Sequence, residues 1–122
     1  MSQPEHEFDL LNRWASLSDA QIANIVSEDT IRVLQRVADL LGDESEPGRP
    51  TVSPENFIST VRSMRERYAE GSRLLGNAIL EASDWIDRNE PSKAREAYER
   101  FLSNCKLKFY RKIAANQLRK IL

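Results

Sequence analysis

Apolar or small residues recur at Phe57, Val61, Met64, Tyr68, Gly71, Leu75, Ala78, Ala82 and Trp85, in alternating steps of four and three. That alternation keeps one face of an α-helix apolar across nine positions without a slip. The ends are marked as well. Ser53 suits an N-cap, Pro54 the first helical position, and Glu55 the positive end of the helix dipole. Asn89-Glu90-Pro91 supplies the stop. A helix over 54–89 spans about 50 Å at 1.5 Å per residue. So long a helix cannot be buried all round in a small protein, and shorter helices are expected along its seam. Gly71 and Gly76 fall inside it, each costing about 1 kcal/mol against alanine. Gly71 lies on the seam, where it either admits a neighbouring helix closely or marks a break. The pattern favours one continuous helix.

The flanking segments carry the same period. Residues 1–4 are expected to fray, and Glu5 to Ala15 form a short helix anchored by Phe8, Leu11 and Trp14. Ser18 stands three residues before Gln21, a capping-box spacing that opens the apolar segment Ile22 to Val26. Ser27, followed by Glu28 and Asp29, caps a helix with Ile31, Leu34, Val37, Ala38 and Leu41 on one face, and Gly42 closes it. Residues 43–53 hold prolines, a glycine and several acids, and read as an exposed loop. Beyond the long helix, Pro91 starts another with Ala94, Ala97, Tyr98 and Phe101 buried. Ser103 to Lys106 forms a corner. The last helix, Leu107 to Ile121, turns Leu107, Tyr110, Ala114, Leu118 and Ile121 to one side. Ala82, Trp85, Ala94 and Tyr98 have the small and aromatic spacing of a tetratricopeptide helix pair, but its 34-residue period does not recur. No alternating strand pattern and no Asn-Gly or Asp-Gly hairpin turn occurs. The expected fold is all-α: one domain over 1–122, a small helical bundle around the central helix 54–89, with a C-terminal helical hairpin.

The 122 residues fit one domain, and no apolar run approaches the roughly 20 residues of a membrane span. The acidic, polar start from Met1 to Asp9 lacks the form of a secretory signal, and the lone Cys105 fits a reducing compartment; a cytoplasmic location is expected. Net charge is −1, yet charge is segregated. Residues 1–55 hold eleven acids and four bases, a net of −7, whereas residues 100–122 hold seven bases and no acid, a net of +7. Either the two ends neutralise one another or the last helix presents a cationic surface to an acidic partner.

Residues suited to catalysis are few. His6 is the only histidine and Cys105 the only cysteine, so no zinc cluster and no Ser-His-Asp or Cys-His set is expected. No phosphate-cradling glycine motif occurs. Glu66, Glu70, Glu81 and Asp84 lack the histidine partners of a di-metal bundle and read as a solvated face, with Asp84–Arg88 an i,i+4 pair. Cys105, beside Lys106 and Lys108, is either an inert half-buried thiol or one of lowered pKa. Trp14 and Trp85 read as core anchors. Phe109 lies off the apolar stripe, and either folds back on Phe101 or stands exposed among Lys106, Lys108 and Lys112. Candidate partner-binding residues are therefore Lys106, Lys108, Phe109, Arg111, Lys112 and Arg119. A basic helix bearing an aromatic also suits nucleic acid, although a pI near 5.9 lies far below the value above 9 common in dedicated nucleic-acid domains.

The run Glu70-Gly71-Ser72-x-x-Leu75 in a long helix resembles the DUSAM domain, a small bacterial family. So do Ala94 to Leu102 and the ending Phe109-Tyr110-Arg111-x-Ile113-Ala114-x-x-Gln117-Leu118, and the Ser27–Ala38 helix fits the family layout. The resemblance runs from about Trp14 onward. It implies an all-helical domain found in paralogous copies, and no catalytic residues. The expectation is a non-enzymatic protein-interaction module without cofactor, of the immunity or adaptor kind, masking a protein partner that is acidic at the contact. Nucleic-acid binding is the alternative. Because the shorter helices need the central seam, a monomer is expected over a homodimer.

Overall fold

The structure is a computed structural model that describes residues 4–43 and 51–121. Six helices account for most of them: α1 (Pro4–Ala15), α2 (Asp19–Ile25), α3 (Glu28–Leu41), α4 (Phe57–Asp87), α5 (Pro91–Asn104) and α6 (Lys108–Arg119). The only β-type pairing among the described residues is an isolated bridge between Asp43 and Leu107. The fold is all-α, as the periodicity predicts. Contacts group the chain into two compact units, the first comprising Met1–Leu41 and Glu46–Tyr68, the second Gly42–Ser45 and Ala69–Leu122.

In the first unit, α1 presents Phe8, Leu11 and Trp14 inward, and α3 presents Leu34, Val37, Ala38 and Leu41, all buried. Phe57, Val61 and Met64 of α4 complete this core. Phe8 stacks on Tyr68 with ring centroids 4.6 Å apart, and Trp14 tilts against Phe57 at 5.8 Å. The capping signals hold. Gln21 N–H donates to Ser18 Oγ while Ser18 N–H donates to Gln21 Oε1. Thr30 N–H donates to Ser27 Oγ, and Ser27 N–H to Thr30 Oγ1. Arg62 ties the α1–α2 turn to α4. It donates to Ala15 O, to Leu17 O at 2.8 Å and to Asp19 Oδ1 at 3.0 Å. Buried Glu7 accepts from Arg36 Nε at 2.7 Å.

The second unit is built from the rest of α4 with α5 and α6. Leu75, Ala78 and Ala82 of α4, Ala94, Ala97, Tyr98 and Phe101 of α5, and Leu107, Tyr110 and Ala114 of the last segment are all buried. Helix α4 runs unbroken through Gly71. A Cβ at Gly71 would overlap the Tyr110 ring and lie 3.1 Å from Leu107 Cδ1, so the glycine there admits a neighbour closely.

Several expected boundaries shift. Pro4 belongs to α1 instead of fraying; residues 1–3 lie outside the described ones. Ser53 does cap, with Asn56 N–H donating to its Oγ and its own N–H donating to Asn56 Oδ1, but 54–56 form a turn and α4 proper starts at Phe57. At the far end Asn89 takes φ 60° and Glu90 N–H donates back to Trp85 O, which closes α4 at Asp87. Val52, expected in an exposed loop, is buried, and its N–H donates to Gln35 Oε1 at 2.9 Å. Positions 44–50 of that loop lie outside the described residues. Helix α5 continues to Asn104, so the corner falls at 105–107.

Candidate functional site

The cationic C-terminal segment belongs to the second unit, and its orientation is fixed by backbone as well as packing. Lys108 N–H donates to Gly42 O at 2.9 Å, beside the Asp43–Leu107 bridge, where Gly42 takes φ 57°. Tyr110 seats on Gly71, and Ala114 is fully buried. With this face turned inward, the 100° step turns Lys108, Lys112 and Arg119 outward together, and all three are exposed. Lys106 is exposed at the corner. Among the described residues, no acid forms an ion pair with Lys106, Lys108, Lys112 or Arg119; Arg119 donates only within its helix, to Asn116 Oδ1. The described pairs of the acidic N-terminal region stay within the first unit: Glu7–Arg36, Asp29–Arg32 and Asp19–Arg62.

Two of the six expected site residues do other work. Arg111 is half-buried and donates through Nη1 to Leu102 O and to Cys105 O, the latter at 2.9 Å. It satisfies carbonyls at the α5 C-terminus, where a cation also suits the helix dipole. Phe109 neither folds onto Phe101 nor stands free. It is half-buried and edge-on to Tyr110, with ring centroids 5.2 Å apart at 84°. That leaves Lys106, Lys108, Lys112 and Arg119 as the outward cations.

Trp85, expected in the core, is half-buried beside the α4–α5 turn. Lys93 Nζ stands 4.4 Å and Arg88 Cζ 5.2 Å from its ring, a cation–π arrangement on both counts. Glu81 accepts from Arg100 at 3.1 Å across α4 and α5, and Asp84 pairs with Arg88 at 3.4 Å. Glu70 is bound by Arg73 at 2.7 Å; this hydrogen bond, with the adjacent positive charge, holds its carboxyl below the usual range. Cys105 is buried, not half-buried. No group of acids, cysteines and histidines able to hold a metal ion occurs among the described residues. The side chain of His6 lies outside them. No helix of the described residues is long and apolar enough to cross a membrane.

The sequence reading missed a row of exposed apolar residues on α4. Ile79, Leu80 and Ile86 are 38%, 71% and 50% exposed. The signal is present as a second 4–3 spacing, one residue out of step with the buried seam. Comparison with protein-family models, curated proteins and solved structures finds no match to this chain.

Proposed function

We propose that this protein is a non-catalytic helical interaction module of the DUSAM kind, whose α6 docks an acidic surface on a protein partner. The carrying observation is the group Lys106, Lys108, Lys112 and Arg119, exposed and without an acid side chain paired to any of them among the described residues. Like charges on one face of a helix gain from a negative partner, and screening at physiological salt acts over about 8 Å, so the attraction is felt at docking range. The rest of the chain selects the kind of partner. Residues 1–55 carry a net of −7 and disfavour an extended polyanion, whereas a compact acidic patch can meet α6 alone. A masking role of the immunity or adaptor type accords with this arrangement.

The test is charge reversal. Lys108→Glu, Lys112→Glu and Arg119→Glu together are expected to change stability by no more than about 0.5 kcal/mol per site. Cross-linking in cells identifies the partner; its association rate should fall with added salt and fall again with the triple variant. A mobility-shift assay on mixed DNA and RNA gives the contrast. Salt-sensitive binding at micromolar protein, lost in the triple variant, would replace the protein partner with nucleic acid.

A further inference from the structure

Helix α4 carries two seams. The inner one packs against its own chain. The outer one, at Ser72, Gly76, Ile79, Ser83 and Ile86, repeats the steps of four and three about 100° further round the helix. Leu80 flanks it. The three large hydrophobic side chains found exposed among the described residues, Ile79, Leu80 and Ile86, all lie on this strip or its flank. Gly76 adds a separate observation. A Cβ there meets nothing within 4 Å, in contrast to Gly71, whose space Tyr110 fills. A glycine inside a helix costs about 1 kcal/mol, and among the described residues nothing occupies the space that a side chain at Gly76 would fill.

We propose that this strip is a homotypic interface at which two copies pair through α4 in antiparallel register. The pattern is complementary to itself. With the two-fold axis between Ile79 and Leu80, Gly76 of one copy lies level with Ser83 of the other and Ser72 lies within about one 1.5 Å residue rise of Ile86, so small side chains make room for larger ones or for close backbone approach. Along the flank, Leu80 meets Leu80 of the second copy, and Arg73 meets Asp87 at both ends. Arg73 gives Glu70 two of its five donors and keeps the others available. Asp87 is exposed. Antiparallel pairing also opposes the two helix dipoles. The strip from Ser72 to Asp87 is about 24 Å long. One helix pair of that length belongs with the small, transient interfaces below roughly 1,200 Å², so the dimer is expected to be weak and reversible. The expected monomer followed from use of the inner seam within the chain; the outer strip is a different face.

Sedimentation of the full chain between about 1 µM and 1 mM should show the mass rising from 14.0 kDa toward twice that value. Leu80→Glu, at an exposed site, should raise the dimer dissociation constant at least about tenfold while leaving helicity intact. Register is read by a short bis-maleimide in a Cys105→Ala background. Ile79→Cys should cross-link to itself, whereas Ser72→Cys should not, the two copies of residue 72 lying about 20 Å apart. A mass of one chain at every concentration overturns the proposal, as does a dimer insensitive to Leu80→Glu. Cross-linking at both positions, or at neither, overturns the antiparallel register.

Discussion

At Gly71 a methyl group has no room: the buried Tyr110 ring occupies the space, with Leu107 Cδ1 at 3.1 Å from the Cβ position. Gly71→Ala is therefore expected to destabilise the protein by about 1–3 kcal/mol through overpacking, despite alanine's better helix propensity. Gly76→Ala should act oppositely. Its Cβ meets nothing, so the variant should gain up to about 1 kcal/mol in dilute solution. Urea titrations of both variants check the signs. Tyr98 gives a pH dependence. Burial pushes its phenol above the ordinary value of 10.0, because the phenolate is poorly solvated there. The folded state then holds this proton more tightly than the unfolded one. The resulting stability is complete below pH 10 and is lost as pH rises through the folded-state value. Tyr98→Phe lacks that titration, so its stability should fall less steeply than that of wild type on the alkaline side. Parallel stability–pH curves for the two proteins would contradict this account.

Among the elements, those whose ends are set by local chemistry were legible. The Ser18–Gln21 and Ser27–Thr30 reciprocal bonds, Gly42 at φ 57° and Pro91 at the start of α5 all follow from residues a few positions apart. The buried faces of α1, α3 and α5 were legible for the same reason, since a 3.6-residue period needs no tertiary information. What the period cannot supply is the use made of polar side chains. Arg111 reads from sequence as one more cation of a basic helix, yet two carbonyls at the end of α5 claim it. Trp85 reads as a core anchor because it ends the seam, but the chain turns at Asn89 and leaves its ring beside Arg88 and Lys93. The α5–α6 corner offers a direct check. Arg111→Ala should cost about 1.5–3 kcal/mol, the worth of hydrogen bonds to a charged group. Lysine, a single point charge on a flexible stem, should restore only part of it. Thermal melts of the two variants test this, and a loss below about 0.5 kcal/mol in Arg111→Ala would return Arg111 to the surface group.

The grouping of contacts into two compact units was the least legible feature, because its boundary falls inside the most regular element. The inner seam of α4 runs without a slip from Phe57 to Trp85, and neither proline, glycine nor loop marks the boundary between Tyr68 and Ala69. The sequence therefore shows no boundary within α4, whereas contacts assign Phe57, Val61 and Met64 to one unit and Leu75, Ala78 and Ala82 to the other. Which helices cover which stretch of a seam is a tertiary matter, invisible to a local period. The unbroken α4 backbone is nevertheless a mechanical link. Unfolding one unit frays a helix that the other needs, and helix ends propagate disorder cooperatively. The two tryptophans report the units separately, Trp14 the first and Trp85 the second. With Trp85→Phe or Trp14→Phe isolating each signal, the two fluorescence transitions should coincide in urea, as a single cooperative unit requires. Ala69 is exposed at the boundary, so Ala69→Pro breaks the helix there with little disturbance of either core. Proline costs about 3 kcal/mol in a helix interior, and it also cuts the hydrogen-bonded link. The two tryptophan signals should then lose their common midpoint and move apart. Separate midpoints before proline is introduced would show that α4 does not couple the units. A common midpoint after it would show that they are coupled by something other than the helix.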